Sequence, residues 1–122
     1  MTSADAPVAP PKVPPGVKLC ALADLADPGA RNIVVRIADQ HIHAFVVRAG
    51  EQVSGWLDRC PHMGLPLAKT LDDYLAPDGN IVCAWHGAVF DPMSGQCLGG
   101  PCAGARLTPW PVVVIAGLVV TA

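Results

Sequence analysis

Turn-forming residues set the first limit on this chain. Twelve glycines and thirteen prolines lie among its 122 residues, about a fifth of the total where about 12% is average. Neither residue suits the middle of a long helix. A long-helix bundle is therefore excluded, and many short strands joined by turns are expected. Val17 to Ala21 reads as a first strand, followed by a turn at Asp27-Pro28-Gly29. Ile33 to Ala38 and Ile42 to Arg48 are apolar runs rich in β-branched residues, and Asp39-Gln40 between them makes a hairpin. Val53 to Asp58 is the next strand. Ile81 to Ala84 and Ala88 to Asp91 follow, and the tail forms a hairpin from Trp110 to Ile115 and Leu118 to Thr121 around Ala116-Gly117. Only Leu67 to Leu75 has helical spacing, with Leu67, Leu71, Tyr74 and Leu75 on one side. The fold class expected is all-β, a small antiparallel sandwich or barrel.

The length allows one domain that buries roughly two-thirds of its unfolded surface without staples. Residues 1–16 carry five prolines and read as an extended, flexible arm, leaving 17–122 as the domain. Eight basic residues against ten acidic ones give a net charge of −2, so the basic footprint of a nucleic-acid binder is missing. No apolar run is long enough to span a membrane, and the N-terminus has neither a signal-peptide pattern nor a twin-Arg pair. A cytoplasmic location is the default expectation. Five cysteines, an odd number, favour metal binding or free thiols over a disulfide framework in a reducing compartment.

Two motifs carry chemistry. Cys60-Pro61-His62-Met63-Gly64 and Cys83-Ala84-Trp85-His86-Gly87 each pair a thiolate donor with an imidazole donor at the end of a strand. Facing each other, two such loops hold a metal centre between them. Two Cys and two His also suit zinc. Zinc fingers, however, usually group the Cys in one loop and the His in another, and zinc gives no reason for one of each per loop. A two-iron cluster does, because its two irons can take different ligand types.

The pattern C-x-H, a 20-residue gap, then C-x-x-H resembles the Rieske iron–sulfur proteins. Their two Cys bind one iron and their two His bind the other. Phe90-Asp91, Ser94-Gly95 and Gly99-Gly100-Pro101 match as well; in the family that last segment is a proline loop covering the cluster. The resemblance covers residues 17–122. It implies a Rieske fold with an inserted cluster-binding subdomain at about 58–102, a [2Fe–2S] cofactor, and Cys60, His62, Cys83 and His86 as its ligands. With neutral His the oxidised centre is about two charge units less negative than an all-Cys cluster, so it accepts an electron more readily.

The departures narrow the subclass. Respiratory Rieske proteins tie their two loops with an extra disulfide, whose positions here are Leu65 and Trp85. They also hydrogen-bond cluster sulfurs with a Ser and a Tyr hydroxyl, where this chain has Ala88 and Phe90. Lost hydrogen bonds to sulfur lower the potential. The resemblance thus implies a soluble, low-potential Rieske-type ferredoxin. Such a carrier is not itself an enzyme: it takes electrons from an NAD(P)H-dependent reductase and passes them to a terminal oxygenase, of the aromatic-ring hydroxylating type. The alternatives are a small subunit of a multi-subunit reductase such as nitrite reductase, and a zinc-binding module. A Rieske oxygenase would need a second, mononuclear iron domain, and only His41 and His43 are spare.

Other residues have plainer readings. His41 and His43 flank Ile42 and point to one exposed face of a strand. Cys20 reads as a small core residue. Cys97 and Cys102 read as two free thiols, with a small disulfide across Leu98-Gly99-Gly100-Pro101 as the alternative. Met63, Leu65 and Pro66 read as an apolar cover over the centre, Trp85 as packing beneath its loop, and Asp72, Asp73 and Asp78 as an ordinary solvated loop.

Overall fold

The computed structural model describes residues 13–37, 39–61, 66–69, 72–85, 87–102 and 104–122. Nearly all regular structure among them is β. The first strands are β1 (Lys18–Ala21), β2 (Gly29–Ile37), β3 (Gln40–Ala49) and β4 (Gln52–Leu57). Three very short ones follow: β5 (Ile81–Val82), β6 (Val89–Phe90) and β7 (Cys97–Gly99). The last are β8 (Val112–Ile115) and β9 (Leu118–Thr121), and a single 3₁₀ turn spans Leu22–Asp24. They form three antiparallel sheets in the orders β1-β9-β8, β2-β3-β4 and β5-β6-β7. The all-β expectation holds, and no helix among the described residues is long and apolar enough to cross a membrane.

The β2–β3 hairpin is longer than the apolar runs suggest, pairing from Gly29↔Arg48 to Ile37↔Gln40. Gly29, expected in a turn, is the first residue of β2. Arg31 and Asn32 hid the extension because both are polar, Arg31 facing solvent and Asn32 half-buried with its amide hydrogen-bonded to Tyr74. β7 was not expected at all: Gly99-Gly100 reads as loop, yet Cys97 and Gly99 pair with Phe90 and Val89. The helical spacing at Leu67 to Leu75 yields no helix among the described residues. Asp72 takes a left-handed φ of 66°, which a right-handed helix cannot contain. Leu75 instead bridges Ile81.

Two cores sit on either side of β3, and its period-2 alternation distributes its side chains between them. Ile42, Ala44 and Val46 join Leu25, Trp110 and Val119 on one side. Phe45 and Val47 join Trp56, Tyr74, Ile81 and Phe90 on the other. A continuous apolar run buried on both faces is the result. The excursion that holds the second core leaves and returns at one place. The Leu57 N–H donates to the Thr108 carbonyl (3.0 Å) and the Trp110 N–H to the Gly55 carbonyl (2.8 Å). Gly55 permits this approach: a Cβ there would run into the Trp110 carbonyl. Within the segment read as an arm, residues 1–12 lie outside the description, while the Pro14 carbonyl accepts from the Thr121 hydroxyl (2.6 Å) and the Gly16 N–H donates to the Thr121 carbonyl (2.7 Å).

Candidate metal centre

Cys60 and Cys83 are both completely buried and belong to the same core. They arrive there from different directions. Cys60 lies three residues beyond the end of β4 and Cys83 directly follows β5. The second motif closes as a tight turn: the Gly87 N–H donates to the Cys83 carbonyl (2.9 Å) and the Cys83 N–H to the Ala88 carbonyl (2.8 Å). Gly87 sits at φ 71°, in the left-handed region that favours glycine. His62, His86, Met63 and Leu65 lie outside the described residues.

The two motif segments are joined by direct contacts. The Ala84 N–H donates to the Leu67 carbonyl (2.8 Å), and the Trp85 indole N–H donates to the Pro66 carbonyl (2.6 Å). Trp85 is therefore not packed beneath its loop as expected. It is 43% exposed, lies across to the first segment, and has the Lys69 ammonium 4.7 Å from its ring centroid, a cation–π contact. An indole N–H needs an acceptor when it is held against protein, and Pro66 supplies one. Pro66 is itself exposed; Met63 and Leu65, read with it as an apolar cover, lie outside the described residues.

The segment after β6 closes over the second motif. Gly100, at φ 84°, comes so near that a Cβ would stand 2.9 Å from the Ala88 Cα and 2.9 Å from the Gly87 carbonyl oxygen. Cys97 and Cys102 are disulfide-bonded, so their reading as two free thiols is corrected. The pair closes the loop 98–101, and its ends are already adjacent because the Cys97 N–H donates to the Ala105 carbonyl and the Ala105 N–H to the Cys102 carbonyl. Ala88 and Phe90 are wholly buried beside Cys60 and Cys83 and bring no hydroxyl.

A polar network lies behind the first motif that sequence reading missed. The Tyr74 hydroxyl donates to Asp58 Oδ2 (2.8 Å), and Asn32 Nδ2 donates to the Tyr74 oxygen (2.8 Å). Burial, ahead of its hydrogen bonds, pushes the Tyr74 hydroxyl well above the usual phenol range. Its ring stacks on Phe45, with centroids 4.2 Å apart. The one available signal was Asp58 itself, an acid following an apolar strand and preceding a cysteine. Asp72, expected in a solvated loop, accepts from the Asn32 N–H (2.7 Å). Asp78 does sit in such a loop, bonded to Asn80. His41 and His43 are exposed on β3. Cys20 is half-buried against the first core, and burial is the main cause of its raised thiol pKa.

The family model for the Rieske [2Fe-2S] domain matches residues 16–115. The chain belongs to the Rieske [2Fe–2S] family. Its cofactor is accordingly a [2Fe–2S] cluster, and the donor chemistry fits: two fully buried thiols share one core, and thiolate suits iron–sulfur clusters. No curated protein matches this Rieske chain. Among solved structures it is similar to a chain in the complex of reduced oxygenase and oxidized ferredoxin of carbazole 1,9a-dioxygenase. That match has 30% identity and a TM-score of 0.67, covering 87% of this chain and 91% of that one. The ferredoxin of carbazole 1,9a-dioxygenase from Nocardioides aromaticivorans IC177 shares its fold at 23% identity and a TM-score of 0.68, covering 90% and 98%. A structure described as a small subunit of NADPH nitrite reductase does so at 21% identity and a TM-score of 0.62, covering 87% and 96%.

Proposed function

We propose that this Rieske chain is a one-electron carrier, receiving electrons from an NAD(P)H-dependent reductase and delivering them to a terminal oxygenase, without being an enzyme itself. Cys60 and Cys83 hold one iron as thiolates, and His62 and His86 hold the other through ring nitrogens. The cluster, when bound, supplies reversible uptake of a single electron. The protein's own part is to bury both sulfurs, exclude water from them and keep the two motif segments together through Ala84–Leu67 and Trp85–Pro66. The observation that carries the reading is the similarity, over 91% of its length, to a chain from an oxygenase–ferredoxin complex. A second reading, the small subunit of a multi-subunit reductase, is supported by the nitrite reductase-like structure.

Purified protein reduced without oxygen tests this directly. It is expected to be red-brown, to contain iron and inorganic sulfide in equal amounts, and to give an EPR signal on reduction. Cys60→Ser, His62→Ala, Cys83→Ser and His86→Ala each abolish the visible spectrum. A colourless protein lacking sulfide refutes the assignment. Rapid oxidation of the reduced protein by an aromatic-ring oxygenase supports the carrier, whereas oxidation only within a nitrite reductase assembly supports the second reading. The potential is expected near the bottom of the family's range of roughly −150 to +300 mV, because Ala88 and Phe90 offer no hydroxyl. Ala88→Ser and Phe90→Tyr each add up to one charge-assisted hydrogen bond of about 1.5–3 kcal/mol, or about 60–130 mV upward. Redox titration that finds neither substitution raising the midpoint removes these positions from the neighbourhood of the sulfurs.

A further inference from the structure

Asp58 follows β4 directly and stands two residues before Cys60. Its carboxylate accepts three hydrogen bonds: the Leu67 N–H on Oδ1 (3.0 Å), and the Tyr74 hydroxyl (2.8 Å) and Asn32 Nδ2 (3.3 Å) on Oδ2. None of these donors belongs to the segment 59–66 that carries the first motif. Leu67 is the residue after that segment, so the carboxylate joins its two ends. Leu67 and Tyr74 are also where the second motif is hung. The Leu67 carbonyl accepts from the Ala84 N–H (2.8 Å), and the Tyr74 carbonyl accepts from the Val82 N–H (2.9 Å). Val82 and Ala84 are the two neighbours of Cys83. One side chain therefore reaches both flanks of the second cysteine through a single intermediary on each side.

No strand ladder performs this task. Between β4 and β5 the described residues make only the isolated bridge Leu75↔Ile81. The network is anchored instead in the long hairpin, through Tyr74 stacked on Phe45 of β3 and Asn32 of β2. Leu67 is wholly buried, so its N–H loses its partner, with no ready substitute, if the carboxylate is removed.

We infer that Asp58 is a positioning residue of the iron–sulfur centre: it yokes the two cysteine-bearing segments, through Leu67 and Tyr74, so that Cys60 and Cys83 keep one separation. This rests on the reading that those two cysteines hold the cluster. The test compares Asp58→Ala, Asp58→Asn and Tyr74→Phe with Val119→Ala, which opens the other core and serves as a destabilised control. One readout is the rate at which a ferric chelator bleaches the oxidised holoprotein, compared at matched distance below each variant's Tm. The other is amide hydrogen exchange at Leu67 and Ala84 in the oxidised holoprotein. Asp58→Ala is expected to bleach at least about tenfold faster than Val119→Ala, and to lose protection at Leu67 and Ala84 together. Asp58→Asn keeps an acceptor for Leu67 but turns a donor on Tyr74 and Asn32, so it falls between wild type and Asp58→Ala. Tyr74→Phe keeps the ring stack and gives the smallest acceleration.

Bleaching no faster than in Val119→Ala, or a loss of protection at Leu67 that leaves Ala84 unchanged, overturns the yoke. Should Asp58→Ala fail to fold, Asp58→Asn and Tyr74→Phe decide by the same two readouts. A wild-type protein without iron and sulfide overturns the ligand reading instead, and amide exchange then decides whether the two segments are coupled.

Discussion

Between β2 and β4 the chain is held by backbone ladders that run without a break from Gly29↔Arg48 to Ile37↔Gln40 and from Ala44↔Leu57 to Ala49↔Gln52. Between β5 and β7 the strands have two or three residues each, and the register slips between Val89 and Phe90. Side chains complete the second region: the Asp58 carboxylate, the Trp85 indole and the Cys97–Cys102 bridge. A ladder spreads its stabilisation over many equivalent bonds, whereas point contacts concentrate it. The scaffold therefore needs no particular residue at most positions, while the centre needs a few in particular. The difference also separates two kinds of failure, loss of the fold and loss of the cluster.

The largest expected effect falls on the residue the two regions share. Phe45 is completely buried on β3 and stacks on Tyr74. Phe45→Ala should cost about 3–5 kcal/mol, measured by denaturant unfolding, and cluster loss should track unfolding. A variant that keeps its stability while bleaching would show that β3 and the centre are not one packing unit. Next comes the disulfide. Reducing Cys97–Cys102, or replacing both residues with Ser, releases a short loop, and a loop of this size accounts for about 2 kcal/mol in the chain-entropy model. The effect should appear as faster chelator bleaching while the exchange protection of β2 and β3 is kept. Equal loss of protection in both regions would erase the contrast. The smallest effect is expected of Trp85→Phe, which deletes one hydrogen bond to Pro66, worth about 1 kcal/mol, from an exposed position. It should loosen the contact between the motif segments without moving the denaturation midpoint by more than that amount allows.

Legibility in the sequence follows the same division. The β2–β3 hairpin could be read because Ile33 to Arg48 is dense in β-branched residues, and the tail hairpin because Val112 to Thr121 is interrupted only at Ala116-Gly117. Its ends were misjudged where polar outer positions such as Arg31 broke the apolar run. That Cys60 and Cys83 meet in one buried core was legible, because the repeated Cys–His pairing is a signal independent of local propensity. What surrounds them was not. β7 depends on partners that a glycine pair gives no sign of. Leu67 and Tyr74 have helical spacing for a different reason: each is buried as an anchor for the second motif. Trp85 suggested burial by its size, but its indole N–H is satisfied by a carbonyl of the other segment, which local sequence cannot reveal. The disulfide depends on the return of Ala105 to Cys97, a tertiary event.

The entry and exit of the excursion lie side by side, with Leu57 bonded to Thr108 and Trp56 bridged to Pro109. A segment whose two ends meet can change in length without the host sheets having to move. The span of the excursion is thus set apart from the frame: residues can be added to it or taken from it while the strands that flank the doorway stay in register.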